Sequence, residues 1–115
     1  MPKLVLDHLV YGVPRLDIAI SEMAERLGVD AVLGGQHPKW GTHNAILRLN
    51  GSSYLELIAP NPSQTHPESL LPFGMDYLRE PRLVTWAVQV SQIDEIVAQA
   101  RASGFDPGSP TSMSR

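Results

Sequence analysis

A histidine and a glutamate lie in the middle of two otherwise apolar stretches of this chain. His8 interrupts residues 4–13, which read Leu-Val-Leu-Asp-His-Leu-Val-Tyr-Gly-Val, and Glu56 interrupts residues 53–58, Ser-Tyr-Leu-Glu-Leu-Ile. Both stretches have the composition of β-strands. An ionisable side chain among aliphatic neighbours costs free energy unless it has a partner. The partner of each residue therefore decides what chemistry the protein can perform.

Strand alternation assigns His8 to one face of its strand, together with Leu6 and Val10, and assigns Asp7 to the opposite face. Carboxylates are rarely buried unless they are paired. For His8 and Glu56 two interpretations remain open. One is a buried ion pair that only stabilises the fold, and the other is a functional pair that lines a cavity.

A turn signal, Asn50-Gly51, separates the Glu56 strand from a preceding strand over residues 43–49. Asn-Gly favours a two-residue type I′ hairpin turn, which fixes the register of the two strands. In that register Ala45 faces Glu56, and His43 lies on the Glu56 face, one diagonal step away. The register therefore predicts His43 as a cavity residue, and a solvated histidine at a strand end is the alternative.

Other polar and aromatic residues are candidates for the same cavity. Tyr54 shares the predicted face of Glu56, and His37 and Trp40 belong to a predicted loop that could border the cavity mouth or be ordinary loop. Trp86 is predicted to point towards the helices and to join the core. The candidate cavity-lining residues are therefore His43, Tyr54, His37 and Trp40.

Further strands and helices must position these residues. Apolar residues at helical spacing predict a first helix that ends at Gly28 in a left-handed cap. A second strand is predicted to end at Gly34-Gly35. The last helix opens with a capping box from Ser91 to Asp94, and Gly104 ends it. In chain order the predicted elements are strand 4–13, helix 16–27, strand 29–33, strand 43–49, strand 52–59, strand 83–90 and helix 91–102.

The second predicted strand–helix pair repeats the first. A shift of 77 positions aligns Val13 with Val90 and Asp17 with Asp94, and it places Thr85 where the first copy has His8. Repeats of this kind pack together to complete a core. We predict an α+β fold with three parts. These are a first βαβββ module over residues 1–60, a Pro-rich linker over 61–82, and the start of a second, truncated module over 83–115.

Composition excludes several classes of function. The chain has 115 residues, a net charge of −3 without a basic cluster, and no cysteine. Nucleic acid is therefore not expected as a partner, and thiolate metal sites and cysteine nucleophiles are excluded. No apolar run has the length of a membrane span, and the amino terminus lacks the pattern of a signal peptide. We expect a cytoplasmic protein.

The order of these features resembles the vicinal oxygen chelate (glyoxalase, bleomycin resistance and dioxygenase) superfamily, and within it the glyoxalase-like domain family. The resemblance rests on three motifs: Leu6-Asp7-His8-Leu9-Val10, Gly41-Thr42-His43-Asn44 and Tyr54-Leu55-Glu56-Leu57-Ile58. It covers residues 4–60 and, as a shortened module, residues 83–104. It implies a curled mixed sheet, or half-barrel, whose first and fourth strands are neighbours.

In metal-dependent members of that superfamily, a histidine and a glutamate from each module hold a divalent ion that chelates two neighbouring substrate oxygens. The resemblance thus implies His8 and Glu56 as metal ligands, with Glu56 as a candidate general base too. Zinc, manganese, iron and nickel all suit these ligands. With Thr85 in place of a second histidine, one copy of this chain cannot supply all four ligands.

The resemblance therefore implies a metal-assisted lyase, isomerase or dioxygenase-like enzyme that acts on a small molecule. The alternative is a non-catalytic protein that sequesters a small molecule in the same cavity, as drug-resistance members of the superfamily do. The chain could also be a fragment of a longer protein. An apolar concave face should not stay exposed to water, so we expect a homodimer.

Overall fold

A computed structural model describes residues 4–64 and 71–112 of this chain. Parts of the predicted linker (65–70) and of the predicted second module (113–115) lie outside the described residues. The elements in chain order are β1 (Val5–Gly12), α1 (Leu16–Leu27), β2 (Val32–His37), β3 (Thr42–Arg48), β4 (Tyr54–Pro60), a 3₁₀ helix (Pro72–Tyr77), β5 (Arg82–Gln89) and α2 (Ile93–Ala102). Within these ranges, no helix is long and apolar enough to cross a membrane.

The described strands form one mixed sheet in the order β2-β3-β4-β1-β5. β1 and β4 are parallel neighbours, and β2, β3 and β4 form antiparallel pairs. The sheet is open, with β2 at one edge and β5 at the other. The α+β class and the mixed, unclosed sheet are therefore confirmed. Because β1 and β4 are adjacent, residues that are far apart in the sequence meet on one sheet face.

Each face of the sheet has its own apolar cluster. On the face covered by α1, the buried residues are Val13, Leu16, Ala19, Ala45, Leu57 and Ala59. On the opposite face, Val10, Ile58 and Met75 are buried, with Leu71 and Val84 packed against them. Strand alternation from Val10 and Ile58 places His8 and Glu56 on this second face. The candidate pair therefore lies on the side of the sheet that α1 does not cover.

The ends of the two helices differ in how well local signals predict them. α1 ends at Gly28, which has φ +69° and donates its N–H to the Ala24 carbonyl, as the left-handed cap predicts. α2 begins after Gln92 without a side-chain cap, so the predicted capping box is wrong. Its C-terminal stop is confirmed, because Gly104 has φ +89° and Phe105 N–H bonds the Ala100 carbonyl.

Within the described residues, the chain divides into two compact units. One unit comprises residues 6–87 and holds β2, β3, β4, α1 and most of β1 and β5. The other comprises residues 4–5 and 88–112 and holds α2. Every side chain of the candidate site described below belongs to the first unit.

The second strand runs further than the sequence predicts. β2 continues through Gly34-Gly35 and ends at His37, with an irregular register between Leu33 and Gln36. Two consecutive glycines look like a strand end. In an edge strand, however, they also permit a bulge and a close approach of the neighbouring strand. His37 is therefore a strand residue, and its assignment to a loop was wrong.

The register between β3 and β4 differs from the prediction by one residue. Leu49 N–H bonds the Ser53 carbonyl, so three residues rather than two form the loop. As a result Ile46 lies opposite Glu56, and His43 lies opposite Ala59. A one-residue slip moves every side chain of a strand to the other face. The predicted position of His43 on the Glu56 face was therefore wrong.

Core burial explains why the observed register is preferred. It places Ala45 and Leu47 of β3 on the same face as Leu57 and Ala59 of β4, and all four are almost completely buried. The predicted register would have set Ala45 against the carboxylate of Glu56 instead. The burial of apolar residues against α1 therefore outweighs the preference of Asn50-Gly51 for a two-residue turn.

Trp86 was predicted to be a core residue, and this was wrong, because the residue is 64% exposed. Val84 packs against the cluster around Val10, so alternation along β5 places Trp86 on the face of that cluster. Alternation likewise directs Thr85 to the opposite face. The alignment of Thr85 with His8 is therefore a match of sequence rather than of sheet face.

Candidate functional site

The structure brings His8 and Glu56 together on the sheet face opposite α1. β1 and β4 are parallel and Val10 is paired with Glu56, so His8 lies one diagonal step from the carboxylate. His8 Nε2 is 3.6 Å from Glu56 Oε1, and the two side chains are 15% and 13% exposed. This separation is too long for a good hydrogen bond. The two groups face each other across a narrow gap.

Asp7 orients the imidazole of His8. Its Oδ2 lies 2.6 Å from His8 Nδ1, and its side chain is only 12% exposed. A carboxylate can only accept a hydrogen bond, so Nδ1 carries the proton in this contact. In a neutral imidazole, Nε2 would then present its lone pair to Glu56. Alternation had assigned Asp7 to the opposite face, so sequence reasoning missed this contact between adjacent residues.

Tyr54 packs directly against the ring of His8. The two ring centroids are 4.7 Å apart and the rings are nearly parallel, at 8°. Tyr54 is also the β4 residue paired with His8 in the parallel register. Stacking of this kind limits rotation of the imidazole about its side-chain bonds. With Asp7 on one nitrogen and Tyr54 on one face, both the plane and the direction of the His8 ring are set.

A hydrogen-bond chain continues from Glu56 across β3 to β2. Asn44 Nδ2 donates to Glu56 Oε2 at 2.7 Å and lies 3.4 Å from His37 Nε2. His37 Nδ1 is 2.9 Å from the hydroxyl of Thr42, which is fully buried. The sequence did not indicate Asn44 as a candidate, because the predicted register placed His43 on the face of Glu56. A register with a three-residue loop would have placed Asn44 on that face instead.

The donor set at the gap fits half of a metal site. In zinc sites, metal–nitrogen and metal–oxygen distances are about 2.0–2.2 Å, so two ligands of one tetrahedral ion lie about 3.4 Å apart. The 3.6 Å between His8 Nε2 and Glu56 Oε1 is close to that value. Among residues 4–64 and 71–112, no group of three or more histidine, aspartate and glutamate side chains is arranged to hold a metal. An ion here would need further donors from outside this set.

His43 lines a different depression, on the α1 side of β3. This open depression has a volume of about 450 Å³, and its lining residues are Pro14, Arg15, Leu16, Asp17, His43, Pro60 and Pro62. Burial is the main cause that lowers the pKa of His43 below its ordinary 6.5, and repulsion from the protonated form of His37 lowers it further. Asp17 and the backbone of Pro60 act in the opposite direction. Folding therefore favours the neutral imidazole.

The lowered pKa of His43 gives a pH dependence of stability with a definite sign. The unfolded chain binds this proton at higher pH than the folded protein, so the contribution of His43 is full above pH 6.5 and is lost as the pH falls below it. We expect the free energy of unfolding to decrease more between about pH 7.5 and pH 5 in the wild type than in His43→Gln. Urea unfolding at both pH values measures the difference. Equal decreases in the two proteins would contradict it.

Trp40 lies in the turn between β2 and β3 and is 42% exposed.

Taken together, these contacts define the candidate site. It comprises His8, Glu56, Tyr54 and His37 from the sequence prediction, with Asp7 and Asn44 added by the structure.

Comparison with known proteins identifies related domains. The profile of the family described as "Glyoxalase-like domain" matches residues 6–115. No curated protein matches the chain.

The solved structures include several that share this fold. Methylmalonyl-CoA epimerase from Mycobacterium tuberculosis has a TM-score of 0.68 and 27% identity over 87% of this chain and 64% of its own. A Streptomyces coelicolor methylmalonyl-CoA epimerase variant in complex with 2-nitronate-propionyl-CoA has a TM-score of 0.69 and 20% identity, over 89% of this chain and 74% of its own. A hypothetical protein from Bacillus halodurans C-125 has a TM-score of 0.68 and 20% identity, over 89% and 70%. This chain thus spans less than two thirds of the length of the M. tuberculosis enzyme.

Proposed function

The chain belongs to the glyoxalase-like domain family, and from this premise we propose that it is a small-molecule enzyme of the metal-assisted lyase or isomerase type. His8 and Glu56 would hold a divalent ion, and the substrate would carry two neighbouring oxygens. Zinc, manganese, iron and nickel remain the candidate ions for this pair of ligands.

The observation that carries the proposal is the arrangement of acceptors at the gap. Asp7 takes the Nδ1 proton of His8, so a neutral His8 directs a lone pair from Nε2 at Glu56 Oε1, 3.6 Å away. Two acceptors that face each other repel, and a metal ion between them would remove that repulsion. A second proton on the imidazole, or a hydrogen-bond donor between the two atoms, is the alternative without metal. A histidine that binds metal usually donates its other ring N–H to a carboxylate, as His8 does to Asp7.

A bound divalent ion would supply Lewis-acid stabilisation of negative charge on a substrate oxygen. The residues of this chain orient the ligands and present the base. Asp7 and Tyr54 hold the His8 ring, and the Glu56 carboxylate, which Asn44 holds by Oε2, presents Oε1 to the gap. Glu56 is therefore the candidate general base for removing a proton from substrate, as well as a candidate ligand.

The related structures narrow the class of reaction that we propose. Several of them are described as methylmalonyl-CoA epimerases, and one of these is a complex with methylmalonyl-CoA. We propose the isomerase branch for this chain, with proton removal and return beside a carbonyl group. Glu56 suits that chemistry as a base, because its Oε1 faces the gap beside which the substrate oxygens would bind.

A second copy of the chain is our proposed source of further donors. The pair provides two protein ligands, whereas catalytic zinc sites use three. A homodimer would bring another site face to the open side of the sheet, where Trp86 is 64% exposed. A small-molecule ligand would then be enclosed between the faces.

The second candidate function is sequestration of a small molecule without catalysis. The observation that favours it is the same short gap, because a doubly protonated His8 between Asp7 and Glu56 forms a complete ion-pair triad without metal. Such a triad would polarise one wall of a binding cavity and leave no free base.

Metal analysis of untagged protein, together with solvent exchange, separates the two functions. For the enzyme we expect about one equivalent of transition metal per subunit, and deuterium incorporation from D₂O into methylmalonyl-CoA that is lost after chelation. The chelated protein with the metal restored is the control. Absence of metal and of exchange, in folded protein, would overturn the enzyme proposal in favour of sequestration.

A further inference from the structure

We propose that Asn44 is a positioning residue for Glu56, and that the Gly34-Gly35 bulge of β2 exists to set the Asn44 side chain. The inference deepens the proposed function, because it concerns the carboxylate assigned there as ligand and base. It rests on contacts that do not depend on whether a metal is bound.

The direction of each hydrogen bond around Asn44 follows from chemistry. Gly35 N–H can only donate, so the atom that it meets at 2.8 Å is the Asn44 carbonyl oxygen, Oδ1. The carboxylate of Glu56 can only accept, so the group that it meets at 2.7 Å is the Asn44 NH₂. Both contacts require the same orientation of the amide. In a flipped amide the NH₂ group would face the Gly35 N–H, and the oxygen would face the Glu56 carboxylate, so both hydrogen bonds would be lost.

His37 continues the network with the same polarity. Asn44 Nδ2 lies 3.4 Å from His37 Nε2, which fits an acceptor at that nitrogen. His37 Nδ1 would then carry the proton and donate to Thr42 Oγ1 at 2.9 Å. Thr42 is fully buried, so this end of the network is anchored in the fold. Gly35 and His37 thus hold the Asn44 amide in the orientation in which it donates to Glu56.

Gly34 leaves no room for a side chain beside Asn44. A Cβ placed on Gly34 would clash with Asn44 Oδ1, whereas a Cβ on Gly35 would meet nothing within 4 Å. The lack of a side chain at Gly34 therefore allows the side-chain carbonyl of Asn44 to approach β2 closely. At that distance it can accept a hydrogen bond from the Gly35 N–H. The missing side chain of Gly34 therefore decides where the amide points, whereas Gly35 contributes only its backbone N–H, which alanine would keep.

The consequence for Glu56 is that its two oxygens have different tasks. Oε2 is held by the neutral amide of Asn44, and Oε1 faces His8 Nε2. The carboxylate therefore offers one oxygen to whatever occupies the gap. Oε1 is therefore the atom that would contact an ion in the gap or, when no ion occupies it, accept a proton.

The test compares Gly34→Ala with Gly35→Ala, which add the same methyl group at adjacent positions of one edge strand. Neither glycine has a positive φ in this structure, so alanine suits the backbone at both. In Gly34→Ala the Asn44 side chain, rather than the backbone, must move. Asn44→Ala and Glu56→Gln remove the two partners in turn. Thermal unfolding of each variant checks that it folds.

The first readout is the side-chain amide NMR signal of Asn44 in metal-free protein. In the wild type and in Gly35→Ala we expect one amide proton shifted downfield by its bond to the carboxylate. In Gly34→Ala and Glu56→Gln we expect that shift to be lost. An unchanged signal in Gly34→Ala or Glu56→Gln would overturn the inference, as would equal loss in Gly35→Ala.

The second readout is the affinity for Co²⁺ and its visible absorption spectrum. Loss of a residue that hydrogen-bonds a metal ligand typically weakens metal binding by about 10- to 100-fold. We expect about tenfold weaker binding and an altered spectrum in Gly34→Ala and Asn44→Ala, and wild-type behaviour in Gly35→Ala. Wild-type behaviour of Gly34→Ala would overturn the inference. If the wild type binds no Co²⁺ but the amide signals behave as expected, the proposed metal function fails and the role of Asn44 stands.

Discussion

His8→Ala and Glu56→Ala are each expected to abolish divalent metal binding while the protein remains folded. Each variant removes one of the two donors that face each other across 3.6 Å, and a single remaining donor binds an ion only weakly. The expected loss exceeds the roughly 10- to 100-fold that removal of a hydrogen-bond partner of a metal ligand costs. Metal content after purification and Co²⁺ titration by calorimetry measure the effect.

Matched controls are available within the chain. His43→Ala removes a histidine from the opposite face of the sheet, and Glu22→Ala removes an exposed glutamate from α1. Both should bind metal as the wild type does. If His8→Ala and Glu56→Ala retained full affinity and His43→Ala lost it, the ion would belong to the depression beside α1, and the proposed ligand pair would be wrong.

Asp7→Ala is expected to weaken metal binding by about 10- to 100-fold, because it frees the imidazole of His8 to rotate and to change tautomer. In the folded protein, the 2.6 Å contact with Asp7 Oδ2 keeps the proton on His8 Nδ1. Without it, part of the population carries the proton on Nε2, where it blocks the lone pair that faces Glu56. Co²⁺ titration measures the loss, and ¹⁵N NMR of the metal-free imidazole reports the tautomer.

The conservative variant separates orientation from general destabilisation. Asp7→Asn keeps an oxygen that accepts the Nδ1 proton, so it should retain the tautomer and recover most of the affinity. Asp106→Ala removes an exposed aspartate that pairs with Arg101 far along the chain, and it should leave the tautomer and metal binding unchanged. A wild-type tautomer in Asp7→Ala would show that Asp7 does not position His8.

The sequence predicts some parts of the fold well because those parts depend on local chemistry. α1 ends at Gly28 because only a glycine adopts φ +69° there at little cost. The alternating strands around His8 and Glu56 were recognisable because ionisable residues stand out among aliphatic ones. The order of these elements also carried the family resemblance, which the profile match over residues 6–115 confirms.

Two of the failures share one cause, which is that tertiary packing decided between local options. The turn at Asn50-Gly51 allowed more than one loop length, and burial of Ala45 and Leu57 against α1 selected the three-residue loop. That choice exchanged His43 for Asn44 beside Glu56. Gly34-Gly35 was compatible with a strand end or a bulge, and pairing with β3 selected the bulge.

By itself, the sequence determined that His8 and Glu56 are ionisable residues in apolar strands and that each needs a partner. Only the tertiary structure decided who the partners are. β1 and β4 are distant in sequence but adjacent in the sheet, so the two residues meet. Asp7 and Asn44 reach them through contacts that depend on backbone detail and register. Side-chain type is written in the sequence, but the direction of a side chain depends on register, which the burial of the whole core selects.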